Sequence, residues 1–474
     1  MLLTVDIGTS IFKSAIWDFN GNRLSFAALP LTIKSEGVKH EADCNQWLRS
    51  FEICCKKLTG SFKDLAAIEA VIISGNGPSL IPVLGEHYIA GGELKIDAYP
   101  ARLWLDRRYV KYQDEVSNLL GGFVDAGFFL PKILGIKNDE SELYKKTKYF
   151  LGCPEYLGFA LTGEARTVFP SDGFDRWFWN NDVLEKLELD VEKFPVFIRP
   201  GDLFGTITPS AAKHFGFTKN IPVISGGPDF YSAIIGAGIT EPGQACDRTG
   251  SSEGVNLCTK ERISDERLMS YGHPVKPYWN LSGIINTTGK AVEWGCGILG
   301  LSSTEDFFSL AEESEPGCGG LVFLPYLAGE RAPVWDPFAR GLWRGISLSS
   351  TRREFAGSIL EGITFAVRDV ITVMEDAGAC AKQLRVTGGL AASEKLNQIK
   401  ADITGREVLQ PVQKEAELLG LAVIGSCFLG KFSSFAEASS AIVRIEKHYE
   451  PNPENAAFYD ELFNKYKEMK KIAT

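Results

Sequence analysis

The chain is short of the residues from which metal and nucleophile chemistry is most often built. It holds five His, namely His40, His87, His214, His273 and His448, and none lies within ligand spacing of another. A zinc site or a Ser-His-Asp arrangement is therefore not expected. Its ten Cys (residues 44, 54, 55, 153, 246, 258, 296, 318, 380 and 427) include no Cys-x-x-Cys pair. They read as reduced, mostly buried small side chains of a cytoplasmic protein. Long apolar runs are missing too: Leu418 to Gly430, one of the longest, is interrupted by Gly420, Gly425 and Ser426. That is short of the roughly 20 residues that cross a bilayer, so no membrane association is expected. Met-Leu-Leu-Thr-Val-Asp6 carries no basic segment, which argues against a secretory signal. Basic charge is not in excess either, with 50 Lys and Arg against 60 Asp and Glu and a net charge of -10. A nucleic-acid partner would need a basic face, so none is expected.

What is present is an ordinary globular composition, 45% hydrophobic and 23% charged, in a chain too long for a single core. Two domains are expected, 1–240 and 241–474, meeting at a hinge near residue 240, because no low-complexity linker separates them.

The chemistry-bearing residues cluster at turns. Leu2 to Asn22 reads as strand, tight turn, strand and an Asn-Gly turn. In the first turn Gly8, Thr9 and Ser10 can offer amides and hydroxyls to a phosphate, Lys13 can neutralise it, and Asp6 can hold hydrated Mg²⁺. A plain hairpin reads equally well there. A similar pattern returns at Asp247-Arg-Thr249-Gly250-Ser251-Ser252, 241 positions after Asp6, which suggests an internal duplication whose two hairpins grip a polyphosphate from opposite sides.

Between these turns, Ala70 to Gly75 reads as a buried strand ending in the polar loop Asn76-Gly77-Pro78. Trp104, Asp106 and Arg108 offer a flat apolar face with paired donors and acceptors, as a polyhydroxylated ligand requires, or else a surface salt bridge beside a half-buried Trp. Ile221 to Gly238 reads as strand, Gly-Gly-Pro turn and apolar helix, with Asp229 its one charge, a general base or a helix cap. Residues 140–163 look helical, and the aromatic stretch 164–190 is either a lid or a packed loop. In the second half, Asn286 to Trp294 looks like a turn opening a helix. Glu354 to Met374 has helical spacing, and Gln383 to Gln398 reads as strand, Gly-Gly turn and helix start, a place for adenosine and phosphate. The charged helix 459–471 looks peripheral. Gly295-Cys-Gly297-Ile-Leu-Gly300 matches a dinucleotide fingerprint but follows a helix, and Gly425 to Phe432 fails as a phosphate loop, with Gly430 a helix cap.

Seven motifs in order, Asp6-Ile-Gly-Thr-Ser10 with Lys13, Trp104-x-Asp106-x-Arg108, Gly226-Gly-Pro-Asp229, Thr249-Gly-Ser-Ser252, Pro325-Tyr-Leu-Ala-Gly-Glu330-Arg331-Ala-Pro333, Arg340-Gly-Leu-Trp-Arg-Gly345 with Leu360-Glu-Gly362, and Gly388-Gly389 with Ser393 and Gln398 to Asp402, resemble the FGGY carbohydrate kinases, relatives of actin, Hsp70 and hexokinase. The resemblance spans the whole chain. It implies an α/β fold of two ribonuclease-H-like domains with a nucleotide and sugar cleft between them, and ATP-dependent phosphorylation of a sugar hydroxyl. By match to the motifs, Asp229 is the base, Asp6 and Asp229 hold Mg²⁺, and Gly8, Thr9, Ser10, Lys13, Thr249, Gly250 and Ser251 hold phosphates. Gly289, Gly388, Gly389 and Ser393 line the ATP site, and Asn76, Gly77, Trp104, Asp106, Arg108 and Phe230 with Asp229 face the sugar. The loop Ser74 to Pro78 lacks the Met-His-Gly of typical xylulokinases and the Arg-Glu of glycerol kinases, and Gly135 stands near the usual Trp after Lys132. The resemblance therefore leaves a sugar or polyol substrate, a pentulose such as xylulose favoured over gluconate, glycerol or a hexulose. Homodimerisation follows by analogy only. The competing readings are an actin- or Hsp70-like ATPase that switches a protein partner, and a sugar-binding regulator without catalysis.

Overall fold

The computed structural model describes residues 1–60, 65–90, 92–217 and 221–473. It is an α/β protein of two compact units, the first formed by Met1–Gly236 with Glu417–Ile442, the second by Ala237–Ala416 with the chain from Val443 onward.

In the first unit the strand Leu2–Ile7 is buried at every position, as an apolar strand inside a sheet must be. It pairs antiparallel with Ile11–Trp17 and parallel with Ala70–Gly75. The six-stranded sheet runs Leu203–Thr206, Pro222–Pro228, Ala70–Gly75, Leu2–Ile7, Ile11–Trp17, Arg23–Pro30. Because its three inner strands from Pro222–Pro228 to Leu2–Ile7 are parallel, their C-terminal ends share one edge: Asp6 stands opposite Ser74, and Ser74 opposite Gly227 after a bulge. That register brings Asp6, the Asn76 loop and Asp229 to the edge where α/β sheets carry their ligands.

Two buried helices back this sheet. Cys153–Thr162 is buried along its whole length, and Ala416–Phe428 is apolar around its circumference apart from Glu417 and Ser426, as a helix largely enclosed in a core should be. Its glycines set the approach: a Cβ on Gly420 would lie 1.8 Å from the Ser232 carbonyl oxygen, and one on Gly425 2.6 Å from Ile72. The helical stretch expected over 140–163 is interrupted. Ser141–Lys146 is helical, but Tyr149–Leu151 joins the strand Ile81–Ala90 before the helix Cys153–Thr162 begins. An open sheet edge outweighs the helical spacing of these aromatic and branched residues.

The second unit repeats the plan. Gln244–Thr249 pairs antiparallel with Glu253–Thr259 and parallel with Gln383–Gly388. The sheet runs Met269–Gly272, Trp279–Ile285, Glu253–Thr259, Gln244–Thr249, Gln383–Gly388, Glu407–Pro411, Ile445–Tyr449. The helix Arg352–Asp376 opens with a capping box between Thr351 and Glu354. The terminal helix Pro453–Ala473 is not peripheral: it buries Tyr459, Leu462, Phe463, Tyr466 and Met469, and Phe463 stacks on Phe365 at 6.1 Å. Its charges mark only the outward side of an amphipathic helix. Gly295 and Gly297 lie inside the helix Gly289–Ile298, which rules out a strand-to-helix fingerprint. Gly430 has a φ of 70° just after its helix, with the Lys431 amide donating to the Ser426 carbonyl at 2.9 Å. Among the described residues no helix is long and apolar enough to cross a membrane.

Gly420→Ala should destabilise the protein by about 3 kcal/mol, because the added methyl overlaps backbone that cannot yield. Gly297→Ala, where a Cβ meets nothing within 4 Å, should instead stabilise by about 0.5 kcal/mol. Urea midpoints of the two variants against the parent check both signs.

Candidate functional site

The edge of the first sheet gathers acid. Asp6 is 5% exposed, accepts a hydrogen bond from Ser74 Oγ at 2.9 Å, and stands opposite Lys13 across the hairpin. Its carboxyl is pushed up to about 7, first by burial and then by the charges of Glu417 and Asp229, against the opposite pull of Lys13 and Ser74. Glu417 is the residue that reading the motifs misses. The available signal was an acid in the first turn of an otherwise apolar helix.

Asp229 opens the helix Asp229–Gly236 and is half-buried. Its Oδ1 accepts the Phe230 amide at 2.7 Å, and Ser232 Oγ donates to its carbonyl at 3.0 Å. The bond to the adjacent amide orients the carboxylate at the first residue of the helix. The Phe230 ring stacks on Phe174 at 5.8 Å. Phe174, Trp177, Phe178 and Trp179 are all buried, so the aromatic segment is packed where its side chains are described.

The first hairpin turn is tied to the residues expected to face the sugar. The Gly8 amide donates to the Ile11 carbonyl at 3.0 Å, and Trp104 Nε1 donates to Thr9 Oγ1 at 3.1 Å, while Ser10 is exposed. Asn76 Nδ2 donates to the carbonyls of Ile7 and Gly8 at 2.9 and 3.3 Å, and its Oδ1 accepts from Ser79 at 2.5 Å. After Gly77 the loop is held by Lys132, fully buried, whose ammonium donates to the carbonyls of Pro78, Arg102 and Leu103. Burial and the charge of Arg107 drive the Lys132 amine well below its ordinary value. It acts as a strut between the Asn76 loop and the chain entering Trp104. At Gly135 the Tyr109 ring fills the space, 2.1 Å from the site of a Cβ.

Asp106 is buried, with its oxygens accepting from Arg108 Nε and Nη2 and from the His40 amide. Burial works to raise its carboxyl, but the hydrogen bonds from Arg108 and His40 outweigh it and hold the group below its usual range. Arg108 also bridges to Glu41 at 2.8 Å. The Trp104 to Arg108 segment is therefore a braced, preorganised turn.

In the second unit three segments meet backbone to backbone. The Gly289 amide donates to the Gly250 carbonyl at 3.0 Å, and the amides of Thr288 and Lys290 donate to the Ser251 carbonyl at 3.2 Å each. Thr249 Oγ1 donates to the Thr387 carbonyl at 2.8 Å. Gly388 has a φ of 86°, and a Cβ there would lie 1.9 Å from the Thr249 carbonyl oxygen, so no other residue fits. Gly389 starts the 3₁₀ turn Gly389–Ala392 with open space where a Cβ would stand. Ser393 caps the helix Glu394–Thr404 by accepting the Leu396 amide at 3.2 Å, which leaves its hydroxyl proton to donate elsewhere. The hairpin turn, a helix opening and a Gly-Gly corner thus form one cradle of backbone, the construction that suits a polyphosphate. Asp247, which the duplication matched to Asp6, has a different environment: it is buried and paired with Lys400, which also bonds Glu253 at 2.5 Å.

Comparison with known proteins accords with both halves. The model of the FGGY carbohydrate kinase N-terminal domain matches residues 1–236, and that of the C-terminal domain residues 248–428. A xylulose kinase from Staphylococcus epidermidis is 27% identical over 488 residues, covering 99% of this chain and 96% of its own. Among solved structures, ligand-bound xylulose kinase from Lactobacillus acidophilus matches with a TM-score of 0.86 at 22% identity, covering 100% of this chain and 98% of that one. Gluconate kinase from the same organism matches equally, with a TM-score of 0.86 at 22% identity and coverage of 99% and 97%. At such identities the structures speak for the fold. With one domain model on each hairpin-led half, in the family's order, the chain belongs to the FGGY family of carbohydrate kinases, and its activity is that of a sugar kinase.

Proposed function

We propose that the chain transfers the γ-phosphoryl group of ATP to a hydroxyl of a pentulose, xylulose being favoured, with Asp229 as general base. The observation that carries this reading is the shared sheet edge: the register that aligns Asp6, Ser74 and Gly227 puts the loop of Asn76 and the carboxylate of Asp229 beside the Asp6 hairpin. The pentulose rests on the name of the Staphylococcus epidermidis relative. Gluconate stays as the second reading, because a gluconate kinase matches the fold as well as a xylulose kinase does.

Phosphoryl transfer through a loose transition state asks the protein for position and charge more than for covalent chemistry. The braced turn of Trp104, Asp106 and Arg108, with Asn76, Gly77 and Phe230, would orient the sugar. Asp229 would take the proton of the attacking hydroxyl as its oxygen bonds to phosphorus and the bond to ADP breaks. Gly8, Thr9, Ser10 and Lys13 would hold the transferring end of ATP. Thr249, Gly250 and Ser251, with Gly289, Gly388, Gly389 and Ser393, would hold the rest of the nucleotide.

Mg²⁺ fits the acid edge. A carboxylate raised to about 7 by burial first and then by its acidic neighbours would regain its charge beside a hard cation with a preference for oxygen ligands. Asp6 and Asp229 would hold the ion, which, when bound, offsets charge on the phosphates. Among the described residues no three acidic, His or Cys side chains are arranged to enclose a metal, so water and phosphate would complete its shell.

Purified protein with MgATP, assayed for ADP release over ketoses, aldonic acids and polyols, should respond to one sugar class, and Asp229→Asn should lower that turnover about 10²- to 10⁴-fold. Turnover unstimulated by any of them and unchanged in the variant would defeat the assignment. Asp6→Asn tests the cation site without activity. Asp6 binds its proton more tightly folded than unfolded, so wild-type stability from this group falls as pH rises from about 4 through 7. The variant should therefore be the more stable protein at pH 8, with the difference vanishing below pH 4. Millimolar Mg²⁺ should raise the melting temperature of the wild type and leave Asp6→Asn unmoved.

A further inference from the structure

The buried charges of the second unit have no place in the reaction so far. Lys400 is 1% exposed and lies on the helix Glu394–Thr404, directly after the Gly388-Gly389 corner. Its ammonium bonds Asp247 on one strand of the hairpin and Glu253 on the other. These two carboxylates bracket the turn Thr249-Gly250-Ser251, since Thr249 pairs with Glu253 at its base. The second oxygen of Glu253, Oε2, accepts from Thr288 Oγ1 at 2.9 Å. Thr288 immediately precedes Gly289, and its own amide returns to Ser251. One cation therefore reaches both sides of the hairpin tip and, through Glu253, the opening of the helix Gly289–Ile298.

We infer that Lys400, acting through Glu253 and Thr288, is a positioning residue for the nucleotide: it fixes the separation of the three backbone segments that form the phosphate cradle. The inference rests on the reading of that cradle as the ATP site. A fully buried ion triad is not needed for stability alone, because apolar residues of similar volume commonly serve a core as well or better. What such a triad supplies is a fixed geometry among elements that approach within backbone contact, and a site loosened by an ångström loses function. Burial and the neighbouring charge of Asp247 push the Glu253 carboxyl up to about 8, with Lys400 opposing. Removing the lysine would take away that opposition and leave the Glu253 carboxyl, and with it the Thr288 hydroxyl, without the cation that holds them in place.

The decisive variant is Thr288→Val, which keeps the volume and removes one hydroxyl. Its dissociation constant for MgADP, measured by calorimetry in the absence of sugar, should rise about tenfold, with the KM for ATP following. The KM for the sugar should stay at the wild-type value, the melting temperature should fall only by the few degrees that one lost buried hydrogen bond costs, and Thr288→Ser should restore nucleotide affinity. Lys400→Met should weaken MgADP binding further, and Thr288→Val carries the test if that variant does not fold. Unchanged MgADP affinity in Thr288→Val, or a loss matched by a fall in melting temperature and not rescued by serine, would make the triad a core brace and overturn the inference. Wild-type protein that binds no MgADP at all would instead remove the nucleotide reading on which it stands.

Discussion

A carboxylate buried near the end of a sheet strand is costly unless something nearby balances its charge, and the two units of this chain meet that constraint in opposite ways. In the second unit a buried cation answers the acids: Lys400 sits between Asp247 and Glu253 and offsets one of their two charges within the core. In the first unit the balance is left open. Asp6 has Lys13 and the Ser74 hydroxyl on its side, but Glu417 and Asp229 on the other, and its carboxyl is held near neutrality in its affinity for a proton. Two hairpins of similar pattern thus differ in environment, one held by a buried cation and the other left with a raised carboxyl. Under the proposed reading, the first hairpin is completed by a cation that arrives with the nucleotide.

The same contrast runs through the backbone. The acid edge depends on strand register, since a shift of one residue between Leu2–Ile7 and Ala70–Gly75 would turn Asp6 to the other face of the sheet. The cradle of the second unit depends on close approach, with Gly388 against the Thr249 carbonyl and Gly289 bonded to Gly250. Side chains supply charge in the first unit, and main chain supplies shape in the second.

Much of this was legible before the structure because turn chemistry is local. The hairpin after Asp6, the helix opening at Gly289, the strand and corner at Gly388-Gly389 and the false fingerprint at Gly295 to Gly300 each follow from a few adjacent residues. What stayed hidden depends on contacts distant in sequence. Glu417 joins Asp6 only because the helix Ala416–Phe428 is gathered into the first unit. Lys400 and Asp247 are separated by 153 positions, and nothing in either neighbourhood announces the pair. Residues 149–151 became a strand because a sheet edge was there to receive them, and the charges of the last helix concealed an aromatic face packed on Phe365.

The path of the chain between the units has a consequence for how the protein is made. The helix that supplies Glu417 and closes against Ser232 and Ile72 through Gly420 and Gly425 is translated after residues 237–416 of the second unit. The first unit therefore waits, its apolar face uncovered, until residues 417–442 leave the ribosome. A nascent chain in that state exposes the surface that chaperones bind. The acid edge acquires Glu417 only after the Gly250 turn and the Gly388-Gly389 corner of the second unit have been translated.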